Sequence, residues 1–253
     1  FEALKQKGIE NYELALNALD KAQVTAKDNQ ENKAVVYFEK GKNLTALKRF
    51  EEAEINYNLV LEWSPEKLDV LEALYDMYYD AKNYKAAIPV VKKLVLQDSD
   101  YKEDLANLYH RTKQYDKALK LTRTLYLKTK DVNFLAQLAI LEYEMAENKA
   151  DILDTVIANF TIALESIDSH TYQNYFGYIL IDHDVDVKKG IKFVKKALEK
   201  EPNSIAYRDS LAWGYYKQHD CKKAKTIIEK LKDEIGLEDL EMKKHYDAIK
   251  ECK

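Results

Sequence analysis

Two cysteines, five histidines and a run of alternating aspartates are the residues of this chain best suited to chemistry. Cys221 and Cys252 stand 31 residues apart. That is too far for a Cys-x-x-Cys redox pair, and no neighbouring residues complete a zinc set. They can pair with each other or remain two thiols. His110, His170, His183, His219 and His245 are scattered, and none shares a motif with a nucleophile or a phosphate loop. Asp182-His183-Asp184-Val185-Asp186 alternates carboxylates as a calcium loop does. That loop also needs glycine at its sixth position and glutamate at its twelfth, where this chain has Val187 and Phe193. The run reads instead as a solvated turn that caps a helix. No catalytic residue, cofactor or metal is expected, which leaves binding as the activity to look for.

The elements that position these residues announce themselves by a repeat. An alanine recurs in Phe50-Glu-Glu-Ala53, Tyr84-Lys-Ala-Ala87, Tyr115-Asp-Lys-Ala118 and Cys221-Lys-Lys-Ala224, and Gly190 takes the slot in Val187-Lys-Lys-Gly190. Ala53 and Ala87 are 34 residues apart, as are Gly190 and Ala224. A fixed period of this size marks stacked units, each burying a face against its neighbours. Within the unit from Ala34 to about Glu66, Tyr37, Gly41, Leu44 and Leu47 form one helical stripe. A turn follows at Lys48-Arg49; Phe50, Ala53, Tyr57, Val60 and Leu61 form a second stripe, and Ser64-Pro65 ends it. Small residues mark a close crossing of the paired helices: Gly41 with Ala53, Ala106 with Ala118, Ala212 with Ala224. Gly177 and Gly190 are one residue further apart, so their turn is expected to carry an extra residue.

These residues resemble the tetratricopeptide repeat (TPR) family, over about residues 33–235. Gly41, Phe50, Ala53, Tyr57 and Pro65 match its pattern, as do Leu105, Ala106, Tyr109, Tyr115 and Ala118. So do Leu211, Ala212, Tyr215 and Ala224, and Phe176, Gly177, Gly190, Ala197 and Pro202. Tyr75 departs from it, standing where a small residue belongs. The resemblance implies an all-α fold: a right-handed superhelical solenoid of antiparallel helix hairpins with a C-terminal capping helix. The segments read as an N-terminal hairpin or partial repeat (1–32), three repeats (33–130), a divergent repeat with longer helices (131–167), two repeats (168–235) and a capping helix (236–253). The divergent stretch is a candidate joint between two sub-stacks. In the first segment, Leu14, Ala15, Ala18, Leu19 and Ala22 share one face. The cap, roughly Leu237–Cys252, would run back toward the turn beside Cys221, which starts the second helix of the last hairpin, and bring both sulfurs to one edge. A disulfide there would be worth roughly 3–4 kcal/mol by loop entropy.

In the family, the first helix of each hairpin lines a concave groove that holds a peptide or protein. Transferred to this chain, the groove positions are Phe38 and Lys42, then Asp69, Glu72, Asp76, Tyr79 and Asp80, then Glu103, Asn107, His110 and Arg111. Later units supply Ala136, Ile140 and Tyr143, then Asn174 and Tyr178, then Asp209, Trp213 and Tyr216. The carboxylates of the second set suit a basic segment. The Lys and Asn clamp that one branch uses on acidic chaperone tails is absent, because Phe38 occupies a lysine position.

Composition agrees with a folded helical protein: 253 residues, 33% charged, 46% hydrophobic, with only 6 glycines and 3 prolines to interrupt helices. A net charge of −4 argues against nucleic acid as partner. No apolar run is long enough for a membrane span. Starting at Phe1 rather than Met, the chain reads as a processed or excised piece. The expected function is a non-enzymatic scaffold that binds a peptide or partner domain in the groove. The alternatives are a structural part of a larger envelope assembly, with self-association left open, or the sensor domain of a truncated regulator. Pairing of Cys221 with Cys252 would place the protein in a periplasm or outside the cell, and free thiols in a cytoplasm.

Overall fold

The computed structural model describes residues 2–26, 29–231 and 240–252, and among these it contains 14 α-helices, two short 3-10 turns and no strand. The chain divides into two compact units, 1–122 and 123–253.

The first unit begins with α1 (Glu2–Thr25), a single helix rather than a hairpin. Leu16 is buried and Ala15, Leu19 and Ala22 are half-buried, whereas Leu14 is 65% exposed and Ala18 faces water, so the inward face keeps three of the five expected residues. Residues 27, 28 and 1 of the expected N-terminal segment lie outside the described residues. Two hairpins follow, α2 (Gln30–Ala46) with α3 (Phe50–Trp63) and α4 (Leu68–Asp80) with α5 (Tyr84–Gln97). After a 3-10 turn at Ser99–Tyr101, α6 (Lys102–Arg111) leads to α7 (Tyr115–Thr129), within which the division between units falls. The core includes Ala53, Val60 and Ala87 of the repeat pattern together with Leu71, Leu74, Val91 and Leu94, each at most 2% exposed. Burying a leucine or valine in this way is worth about 1.5–3 kcal/mol. Pro89 is accommodated inside α5 without ending the helix.

The second unit holds α8 (Val132–Met145), α9 (Leu153–Leu164), α10 (His170–Asp182), α11 (Val187–Lys200), α12 (Ile205–Lys217), α13 (Cys221–Leu231) and α14 (Leu240–Glu251). The divergent repeat does not have longer helices: α8 has 14 residues and α9 has 12. Its extra length lies in the connection, where a 3-10 turn at Lys149–Ile152 forms and the Lys149 ammonium donates to the carbonyls of Tyr143, Glu144 and Ala146. A lysine there satisfies the orphan acceptors at the end of α8. The repeat belongs wholly to the second unit.

One turn geometry recurs in both units. Leu47–Arg49, Ala81–Asn83, Thr112–Gln114 and Gln218–Asp220 are three-residue turns, and His183–Asp186 carries the expected extra residue. In each, one residue adopts a left-handed backbone: Lys48, Lys82, Lys113, Asp184 and His219, with φ between 54° and 61°. The next amide returns to the helix, as in Asn83 N–H to the Tyr78 carbonyl at 2.8 Å and Asp220 N–H to the Tyr215 carbonyl at 2.9 Å. These are Schellman closures built without glycine. Side chains also start several of the helices, with Asn83, Asp186 and Ser204 each accepting from the backbone amide three residues on.

The small residues divide by purpose. A Cβ on Gly177 would lie 2.8 Å from the Gly190 carbonyl, and one on Gly190 would lie 2.6 Å from that of Gly177, so this pair does set the α10–α11 crossing. Gly41 instead makes room for the Tyr57 ring, 2.5 Å from where its Cβ would be, rather than for Ala53. Gly214 receives Ile191 in the same manner, a contact the repeat pattern did not single out.

The C-terminal helix α14 packs on both α12 and α13, the place a further first helix would take. A disulfide joins Cys252 just past its end to Cys221 at the start of α13, with Cα atoms 5.6 Å apart. Residues 232–239, which include Leu237 at the expected start of the cap, lie outside the described residues, as does residue 253.

Candidate functional site

The first helices present one face in each unit, and the two faces differ. In the first unit, α4 carries Glu72, Asp76 and Asp80 at spacings of four, which places them on one side of the helix. Asp104 on α6 joins them, accepting from the Tyr75 hydroxyl at 2.8 Å. That hydrogen bond explains why a tyrosine replaces the small residue at position 75: it reaches across to the next first helix. Glu72 accepts from the Tyr101 hydroxyl. Partial desolvation raises the Asp76 carboxyl above the usual carboxylate range, and the charges of Asp80, Glu72 and Asp104 raise it further. No Lys or Arg among the described residues forms an ion pair with Glu72, Asp76 or Asp80. Asp69 stands apart at the start of α4, 3.9 Å from Lys67.

Beside the carboxylates lies an aromatic shelf. Tyr79 packs edge-on against Tyr75 and Tyr84, at 6.0 and 5.4 Å between ring centres. The Arg111 guanidinium lies 5.3 Å from the Tyr79 ring and 5.0 Å from that of Tyr84, and its Nε donates to Asn107 at 3.0 Å. Phe38 is half-buried, with the ammonium groups of Lys42 and Lys67 over its ring. The sequence placed Asn107 and Arg111 on this face but gave no sign that Arg111 would close over Tyr79.

In the second unit, the corresponding face is covered. Ala136 and Ile140 belong to the core with Phe160 and Phe176 and offer no contact surface. Trp213 is 6% exposed. Its ring is stacked between Tyr216, at 4.8 Å, and His245 of α14, at 4.2 Å, and its indole N–H donates to Asp182 at 2.9 Å. Tyr178 donates to Glu241 of α14 at 2.5 Å, and burial drives its phenol well above its ordinary range. His245 Nδ1 lies 2.7 Å from an Asp209 carboxylate oxygen, and both side chains are buried. Tyr143, bonded to His183 at 2.7 Å, has its phenol pushed up to about 12 by burial and by the Asp182 and Glu241 carboxylates. Tyr178, Asp209 and Trp213 are thus brought together, but toward α14. The sequence showed His245 on a charged cap helix four residues before Ile249; it could not show which acid His245 would meet.

The alternating aspartates are all engaged: Asp182 with Trp213, Asp184 with Lys217 at 2.6 Å, and Asp186 as the cap of α11. No helix of the described residues is long and apolar enough to cross a membrane.

No family model matches the sequence, and no curated protein does. Solved structures match at the level of fold. A tetratricopeptide repeat protein from Parabacteroides merdae superposes with a TM-score of 0.68 at 14% identity, over 98% of both chains. The APC/C hetero-tetramer Cut9–Hcn1 gives 0.64 at 13% identity, over 94% of this chain and 47% of the other. YrrB, a TPR protein with an unusual peptide-binding site, gives 0.50 at 16% identity, over 75% and 95%. Paired antiparallel helices, the recurrent small residues at their crossings and these likenesses together give the chain the all-helical solenoid fold of the tetratricopeptide repeat proteins.

Proposed function

We propose that the protein is a non-enzymatic binding scaffold whose first unit takes a basic, extended segment of a partner protein along the α4 face. The observation that carries this reading is the group Glu72, Asp76, Asp80 and Asp104, in which burial and then the neighbouring charges raise Asp76 and with which no Lys or Arg of the described residues forms an ion pair. Like charges gathered without a counter-charge repel one another, and a ligand that brings lysines or arginines relieves that repulsion. Arg111 over Tyr79 and Tyr84 supports the same chemistry from inside the molecule, since it displays the guanidinium-on-ring contact a ligand arginine would make. YrrB has a peptide-binding site and Cut9 assembles with Hcn1, which favours a protein or peptide as the partner class. The disulfide fits an oxidising compartment, a periplasm or the cell exterior.

The test is fluorescence anisotropy with a labelled Arg- and Lys-rich peptide and the full chain. Binding is expected to weaken as salt rises. The double charge reversal Asp76→Lys with Asp80→Lys is expected to weaken it on the order of tenfold or more. Equal affinity in the variant and the parent, at equal thermal stability, overturns the acidic face as the site.

A further inference from the structure

We propose that α14 is a releasable occupant of a second binding face, latched by the Cys221–Cys252 disulfide. Reduction of the latch opens that face to a helical segment of another protein. The segment is one that presents a basic or imidazole side chain four residues ahead of a large aliphatic one. This inference concerns α10 and α12 and does not rest on the acidic face of the first unit.

Three observations carry it. The first is what α14 covers. Tyr178, Asp209 and Trp213 occupy the groove positions of their repeats, and all three meet α14. The second is how they meet it. A helix that only closed the end of a stack would need an apolar inner stripe and a polar outer face. α14 has such a stripe in Tyr246, Ala248 and Ile249, and adds to it directed polar contacts that closing a stack does not require: His245 stacked on Trp213 and paired with buried Asp209, and Glu241 accepting from Tyr178. Directed contacts of this sort recognise a ligand's pattern, which here is His245 followed four residues on by Ile249. The third is the latch itself. Cys252 lies one residue beyond α14, and its bond to Cys221 ties the far end of the helix to α13.

A tethered occupant excludes competitors by its effective concentration, and a second tether raises that concentration further. A dithiol reductant would supply two electrons and two protons. The S–S bond breaks, each cysteine sulfur leaves as a thiol, and the reductant closes to its own disulfide. The face is then held by a single tether, and its accessibility should rise on the order of a hundredfold, the scale set by loop-closure entropy. Trp213 and Asp209 do not stay bare in water for long, so the exchange is of one helix for another.

Hydrogen exchange on the full chain, oxidised and reduced, is the experiment, together with binding of a labelled peptide of residues 240–252 carrying Cys252→Ser. The expected result has two parts. The amides of α14 lose protection on the order of a hundredfold on reduction while those of α10–α13 keep theirs, and the peptide binds the reduced chain but not the oxidised one. The full-chain pair Cys221→Ser with Cys252→Ser should behave as the reduced protein does. Retained protection of α14 after reduction would make it a permanent cap and overturn the proposal. Joint loss of protection across α10–α14, or equal peptide affinity in both redox states, would overturn it as well. Asp76→Lys with Asp80→Lys leaves all of these readings unchanged, which separates this test from that of the acidic face.

Discussion

The α4 face and the α10–α12 face are built on one plan and end in opposite states. Both lie on first helices of hairpins whose turns close in the same left-handed way at Lys82 and His219. One face carries Glu72, Asp76 and Asp80, with Asp76 and Asp80 exposed. The other carries Tyr178 and Trp213 and is covered by α14. The cause is what each face loses or gains in water. Carboxylates are well solvated and costly to bury unpaired, whereas a large indole surface is unfavourable to leave exposed. The repeat therefore builds the platform, and the few residues aimed off it decide whether the chain fills the platform itself or leaves it for a partner.

Trp213→Ala breaks the covered side most severely. Removing a buried tryptophan costs about 3–5 kcal/mol, and His245 and Tyr216 lose their stacking partner. A urea melt should show the second unit unfolding at lower denaturant while the basic peptide still binds the first. If both change together, the two faces are not independent.

The shared turns offer a smaller effect that should be equal on both sides. Lys82→Gly and His219→Gly place a residue with no Cβ at a positive φ, and each should stabilise its unit by up to about 1 kcal/mol. Thermal melts of the two variants check this. A gain in one unit only would mean that the turns are not equivalent.

The smallest effect is electrostatic and belongs to the open face. Burial and neighbouring charge raise the Asp76 carboxyl in the folded protein, so the folded state holds that proton more tightly than the unfolded chain does. Its contribution is fully present below the ordinary carboxylate pKa and is lost as pH rises through the raised one. Asp76→Asn should remove that part of the pH dependence, with a gain near neutral pH below about 1 kcal/mol because solvent screens the group. Chemical unfolding across the acidic range measures it; an unchanged pH profile would show that the carboxylates do not interact.

The repeat itself is written in the amino-acid order. The slots at Ala53, Ala87, Ala118, Gly190 and Ala224 recur because two helices can cross closely only over small side chains, and such local spacing is visible in one dimension. The extra residue near Asp184 follows from counting along that period, whereas the sequence leaves pairing of Cys252 with Cys221 as one of two readings until the fold brings them together. The rest depends on residues far apart in sequence. Nothing near Tyr75 announces Asp104, 29 residues on, and nothing near Tyr178 announces Glu241, 63 residues on. Nor does the sequence say that Gly41 makes room for Tyr57, or that the extra length of the divergent repeat goes to a 3-10 turn held by Lys149 rather than to longer helices. Helix periodicity is a property of neighbours three and four residues apart. Which face stays open is decided by how α14 docks, and docking is settled only when His245, Trp213 and Asp209 meet in the folded chain.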